Sequence, residues 1–188
     1  MTVQADLLYM KSTGHVLSAF TRVGEPKDLE KDATLFAGEG LPANGLGNPG
    51  TAPFTDFNTR TLVIPPEQIN LFRGDIDPHL LLQPRNLCLT DLDASPNVQP
   101  IGNAAATVPA PGGAPPALTI TIPAAATSDI PVIIVVEGPN LQDPLVISTK
   151  IAATQASVSE SFSTLGSGQY YVVVFIAKYP IAVRPFTV

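Results

Sequence analysis

With 188 residues, 45% of them apolar, the chain can bury at least one full core, yet only 14% of it is charged, against roughly 25% in an ordinary soluble domain. So thin a charged coat predicts that part of the surface is covered by neighbours. The formal net charge of −6, with ten Lys and Arg scattered singly, sets aside nucleic acid and anionic membrane as partners, because both need clustered cations.

The opening Met1 to Asp6 has neither a basic nor an apolar region of the secretory kind, which leads to the expectation of cytoplasmic synthesis without a signal peptide, as a free protein or as part of a particle. The longest strongly apolar run, around residues 132–136, is far short of the roughly 20 residues that cross a bilayer. Cys88 is the single cysteine, so no intrachain disulfide forms, and no N-glycosylation sequon is present.

In chain order, residues 5–11 and 15–23 read as a hairpin around the turn Ser12-Thr13-Gly14. A short helix is predicted over 26–36, with Pro26 at a first helical position and Asp28 and Glu30 in the first turn. The Gly-, Pro- and Asn-rich run 38–53 reads as a long surface loop. Short strands follow at 60–64, 79–83 and 86–90, interrupted by Pro65-Pro66 and Pro84. Residues 1–95 thus form an N-terminal β unit, and the Pro/Ala/Gly-rich stretch 96–116 an extended linker.

The last part, 117–188, carries six candidate strands, at 117–122, 131–137, 145–151, 157–162, 169–177 and 181–188, divided by Gly-Pro-Asn, Asp-Pro, Gly-Ser-Gly and Tyr-Pro. Leu118-Thr-Ile120-Thr-Ile122 alternates strictly and buries one face; Tyr170 to Ile176 is apolar on both, which marks a central strand or one covered twice. The passage Ser159 to Val174, with Leu165, Gly168 and Tyr170, resembles the strand E to strand F region of immunoglobulin-like and fibronectin type III domains. There a Leu and a Gly precede a corner tyrosine whose hydroxyl bonds back to the chain. The resemblance implies an all-β fold, an N-terminal β unit plus a C-terminal immunoglobulin-like β-sandwich, with Leu165, Gly168 and Tyr170 as its structural corner. It implies no activity. The lack of Trp and of a cysteine pair limits it to the wider superfamily. Six strands are short for such a sandwich, so an edge is completed either by a segment of residues 1–95 or by a neighbouring molecule adding a strand.

Chemical motifs are sparse. Gly45-Leu-Gly47-Asn-Pro-Gly50 matches a dinucleotide pattern by letter but sits in loop sequence rather than between a strand and a helix. Asp75, Asp77 and His79 alternate, yet Pro78 favours a turn over a metal site. Asp91-Leu-Asp93 begins like a calcium loop and then meets Pro96 where Gly is required. Arg73-Gly74-Asp75 is the adhesive tripeptide, readable only on an exposed loop. His15 reads as a solvated strand residue and Cys88 as a small core hydrophobe. The carboxylate pairs Asp56 with Glu67 and Glu137 with Glu160 have no spacing that singles them out. No catalytic residue, metal or cofactor is therefore expected. The expectation is a non-enzymatic structural or interaction subunit of a larger assembly, such as a virion or phage-tail-like particle, whose partners are protein subunits. The alternative is a free binding module, adhesin-like or carbohydrate-binding.

Overall fold

The computed structural model describes residues 2–21, 41–42, 61–62, 64, 66–138 and 140–188. The helix expected over 26–36 and most of the loop expected over 38–53 lie outside them. The described chain is all-β, and its helical pieces are the three-residue 3-10 turns Pro66–Gln68, Leu80–Leu82 and Pro84–Asn86.

The opening hairpin forms where its alternation places it, as β1 (Val3–Met10) and β2 (Val16–Thr21). Two short strands, β3 (Leu41–Pro42) and β4 (Thr61–Leu62), pair with each other. Next comes β5 (Ile69–Ile76), which completes a sheet of order β2-β1-β5. Sequence reasoning passes over β5 because Ile-Asn-Leu-Phe-Arg-Gly-Asp-Ile has no clean period. It becomes a strand because all eight of its residues pair with β1, from Val3↔Ile76 to Met10↔Ile69. Its Arg73 Nε also donates to Asp6 Oδ1 at 3.0 Å directly across the ladder.

Where a strand was expected at 79–83, the chain turns. His79 N–H donates to Asp77 Oδ1 and Leu80 N–H to the Asp77 carbonyl, so the leucines between Pro78 and Pro84 coil into 3-10 geometry with Leu82 77% exposed. β6 (Leu87–Thr90) and β7 (Asn97–Pro100) then form a hairpin, so the stretch 96–116 begins as a strand.

The C-terminal strands follow the alternation closely: β8 (Ala117–Thr121), β9 (Ile130–Glu137), β10 (Leu145–Ile151), β11 (Ser157–Ser161), β12 (Gln169–Ile176) and β13 (Ala182–Thr187). They form a sheet of order β10-β9-β12-β13 facing a pair β11-β8. The free side of β8 is met within the chain, from 107–112 rather than from residues 1–95. Thr107 exchanges backbone hydrogen bonds with Thr121, and Gly112 with Ala117. Pro109 and Pro111 between those bridges have no N–H to donate, which keeps the contact from becoming a continuous ladder.

Three apolar clusters join these sheets into a stack. Val132, Ile134 and Val136 of β9 and Val172, Val174 and Ile176 of β12 face Leu118 and Ile120 of β8. The alternate residues Ile133, Val135, Val173 and Phe175 face Leu8 and Met10 of β1 and Ile69 of β5. On the far side of β1, Ala5, Leu7 and Tyr9 meet Leu87 and Leu89 of β6. The run Tyr170 to Ile176 is thus both an interior strand and covered on two faces. Successive residues point to opposite faces of a strand, so Val172→Ala and Val173→Ala are each expected to cost about 2 kcal/mol. Chemical denaturation of the two variants measures this; a strand buried on one face would show the loss at only one of them.

Candidate functional site

The corner residues lie together at the entry to β12. Tyr170 is buried, its ring stacks on Phe186 with centroids 5.5 Å apart, and its hydroxyl donates to the Gly166 carbonyl at 2.9 Å. Leu165 belongs to the same core, and its N–H reaches the Phe162 carbonyl at 3.3 Å. Gly168 exchanges backbone hydrogen bonds with Val188, at 3.0 and 2.9 Å. The close approach to the tyrosine ring comes from Gly138, where a Cβ would run into Cδ1 of Tyr170, while a Cβ on Gly168 would meet Nδ2 of Asn140 at 2.6 Å. This cluster packs the entry to β12 against Phe186 of β13.

His15, expected in solvent, is fully buried. The hairpin turn carries it inward: Gly14 takes φ +73°, and its N–H donates to the Met10 carbonyl while its own carbonyl accepts from Leu89 N–H at 2.8 Å. A side chain on Gly14 would collide with the Leu89 carbonyl, so the turn is pressed against β6. The imidazole then lies edge-on to Phe175, with its Nε2 2.7 Å from the Tyr179 carbonyl and Nδ1 3.0 Å from Thr13 Oγ1. A carbonyl only accepts, so Nε2 carries the proton and Nδ1 accepts from the threonine hydroxyl. Burial lowers the pKa from 6.5 to about 4, against a smaller opposing effect of the Tyr179 carbonyl. With both nitrogens engaged, the ring ties the N-terminal hairpin to the β12–β13 turn. Cys88, bridged to His15, is buried, and burial raises its thiol pKa, so it is a core residue.

The other candidates are dispersed. Arg73-Gly74-Asp75 lies within the β5 ladder rather than on a loop, with Arg73 held by Asp6. Asp75 is on β5, and Asp77 serves the turn that carries His79. Among the described residues no group of three or more His, Cys, Asp or Glu is placed to hold a metal. Glu137 ends β9 and Glu160 lies on β11 of the opposite layer. Residues 45–50 and Asp56 lie outside the described residues.

Two surfaces escaped sequence reasoning. Outside the β8–β11 pair, the facing residues are Thr121 with Ser157, Thr119 with Ser159, and Ala117 with Ser161, all exposed, small and uncharged. Thr119 Oγ1 and Ser159 Oγ hydrogen-bond at 2.8 Å, and exposed Thr107 extends the Thr121–Ser157 row. The alternation of β8 forecast a wet threonine face, but its serine partners come from a strand 40 residues away. The second surface is a cleft of about 530 Å³ beside the β6–β7 hairpin and the β12–β13 connection. Gln83, Arg85 and Asn86, residues 100–103, and Pro180 with Ile181 line it. Ile101 N–H donates to the Asn86 carbonyl at 2.7 Å, just past the end of the β6–β7 ladder. These turns are remote in sequence, and no motif in any of them marks the others.

Comparison with family models, with curated proteins and with solved structures finds no match for this chain.

Tyr170→Phe deletes the bond to the Gly166 carbonyl and leaves the ring in place, and is expected to lower unfolding free energy by about 1 kcal/mol in denaturant titration. His15 sets a pH dependence. The unfolded imidazole takes a proton near pH 6.5 while the folded one resists until about 4, so its contribution is complete above pH 6.5 and is lost as pH falls towards 4. The loss is on the order of 3 kcal/mol between those limits. Melting curves across that range are expected to show it in the wild type and to lack it in His15→Gln.

Proposed function

We propose that this chain is a non-enzymatic structural or interaction subunit of a larger protein assembly, of the kind represented by a virion or a phage-tail-like particle. Its partners are protein subunits, copies of itself or other components. The observation that carries this reading is the outer face of β8 and β11, whose exposed residues Ala117, Thr119, Thr121, Ser157, Ser159 and Ser161 include no charge. Covering such a face desolvates no ion and immobilises little side-chain entropy, since its residues are short and one hydroxyl pair is already bonded. A chain with 14% charged residues that gives a whole sheet face to Ser, Thr and Ala is built to be covered there.

The C-terminal sandwich fits the immunoglobulin-like or fibronectin type III kind. Support comes from the strand order β10-β9-β12-β13 against β11-β8, from the flanking segment 107–112, and from the back-bonded tyrosine at the start of β12. Such domains serve widely as spacers and adaptors, and nothing in their fold dictates a reaction. The alternative, a free carbohydrate-binding module, needs aromatic platforms. The described lining of the cleft has none.

Size-exclusion chromatography with light scattering tests the assembly reading. The wild type is expected to associate with rising concentration, and Thr119→Lys combined with Ser159→Lys to remain monomeric with unchanged circular dichroism. A wild type that stays monomeric at every concentration and captures no subunit of its native particle would overturn it.

A further inference from the structure

We infer that the outer edge of β11 pairs antiparallel with the same edge of a second copy of this chain, about a two-fold axis at Ser159. The inference rests on the reading of the chain as an assembly subunit and names one of its contacts.

The direction of the free backbone groups follows from the ladder. Ile122 N–H donates to the Ala156 carbonyl and Phe162 N–H to the Pro116 carbonyl, at the two ends of the β8–β11 pairing. Bonded and unbonded pairs alternate in an antiparallel ladder. Val158 and Glu160 therefore bond to β8, while Ser157, Ser159 and Ser161 turn their N–H and C=O groups away from it. The far side of β8 agrees: Thr121 and Ala117, opposite Ser157 and Ser161, bond outwards to Thr107 and Gly112. All three serines are exposed, and no described strand lies beyond them.

The other open edges of the longer described strands are guarded against strand addition. The same alternation sets the nitrogens of Pro185 in β13 and Pro100 in β7 on the outward side, where they have no proton to donate. On β5 the outward N–H of Leu71 is taken by Asn70 Oδ1 at 2.9 Å. β10 carries the Lys150–Asp129 ion pair. β2 has a bulge in its pairing and the Pro84–Asn86 turn against it. The outward positions of β11 hold only serine.

The strand also complements itself. With Ser-Val-Ser-Glu-Ser centred on Ser159, Ser157 faces Ser161 of the other copy, and every outward N–H and C=O of both strands finds a partner. Val158 then faces Glu160, which keeps the two carboxylates from lying directly opposite; a centre at Glu160 would set them face to face. Copies with a formal charge of −6 repel each other, so contact is favoured where the outward residues are uncharged. The product is a β8-β11-β11-β8 sheet whose hydroxyl face runs on through both copies.

The test follows the full chain over a range of concentration by size-exclusion chromatography with light scattering and by amide hydrogen exchange. A dimer is expected, with exchange at the Ser157, Ser159 and Ser161 amides slowing as it forms. Ser159→Pro deletes an N–H that makes no bond to β8, and is expected to weaken the dimer about tenfold or more with circular dichroism unchanged. Glu160→Gln relieves the diagonal repulsion of the carboxylates and is expected to tighten it severalfold. Thr119→Lys, one strand in from the edge, is expected to leave the dimer intact. Association that persists in Ser159→Pro, or that forms without slowing the three serine amides, would overturn the inference. Loss of association in Thr119→Lys would also overturn it and assign the contact to the face of the sheet. A pure chain that is monomeric at every concentration sinks the self-pairing as well, while its capture of a different subunit would leave the assembly reading standing.

Discussion

The antiparallel pairing of β9 with β12, from Tyr171↔Glu137 to Ile176↔Val132, is the constraint on which the rest of the molecule depends. Each strand is apolar at successive positions, so neither face of the pair can be left to water. One face draws in β8 and β11, the other draws in β1 and β5. The N-terminal sheet is then itself covered on its far side by β6. The order of layers follows from the need to bury one doubly apolar ladder, and the turns meet where that order puts them.

His15 illustrates what the stack does to chemistry. On an open hairpin its imidazole would titrate near neutrality and be free to act as a base. Enclosed between Thr13, Phe175 and the Tyr179 carbonyl, it holds a single neutral tautomer and ties the opening hairpin to the β12–β13 turn. The same closure brings Pro180 and Ile181 to a cleft that Asn86 and Ile101 also line. Stability and candidate binding surface therefore share one set of contacts.

The outer face of β8 and β11 and the cleft present contrasting surfaces. The first is made of short, exposed hydroxyl and methyl groups without a charge. The second is a cleft lined by Arg85, the amides Gln83, Asn86 and Asn103, and apolar Pro and Ile side chains. Surfaces of the first kind suit association over area, those of the second suit recognition of a particular group.

The C-terminal strands were legible in the sequence because their information is local: alternation in Leu118 to Ile122, uninterrupted apolarity in Tyr170 to Ile176, and turn residues between them. The hairpin at Ser12-Thr13-Gly14 was legible for the same reason. What required the tertiary structure was every feature whose cause lies elsewhere in the chain. Residues 69–76 form a strand because β1 supplies a partner and Asp6 balances Arg73. The stretch 107–112 completes an edge because β8 is open beside it, although its prolines read as linker. Burial of His15 depends on a phenylalanine 160 positions away and a carbonyl 164 away. A local pattern records which face of a segment avoids water; only the packed chain decides what covers that face, and hence which polar groups are enclosed and which remain to meet a ligand.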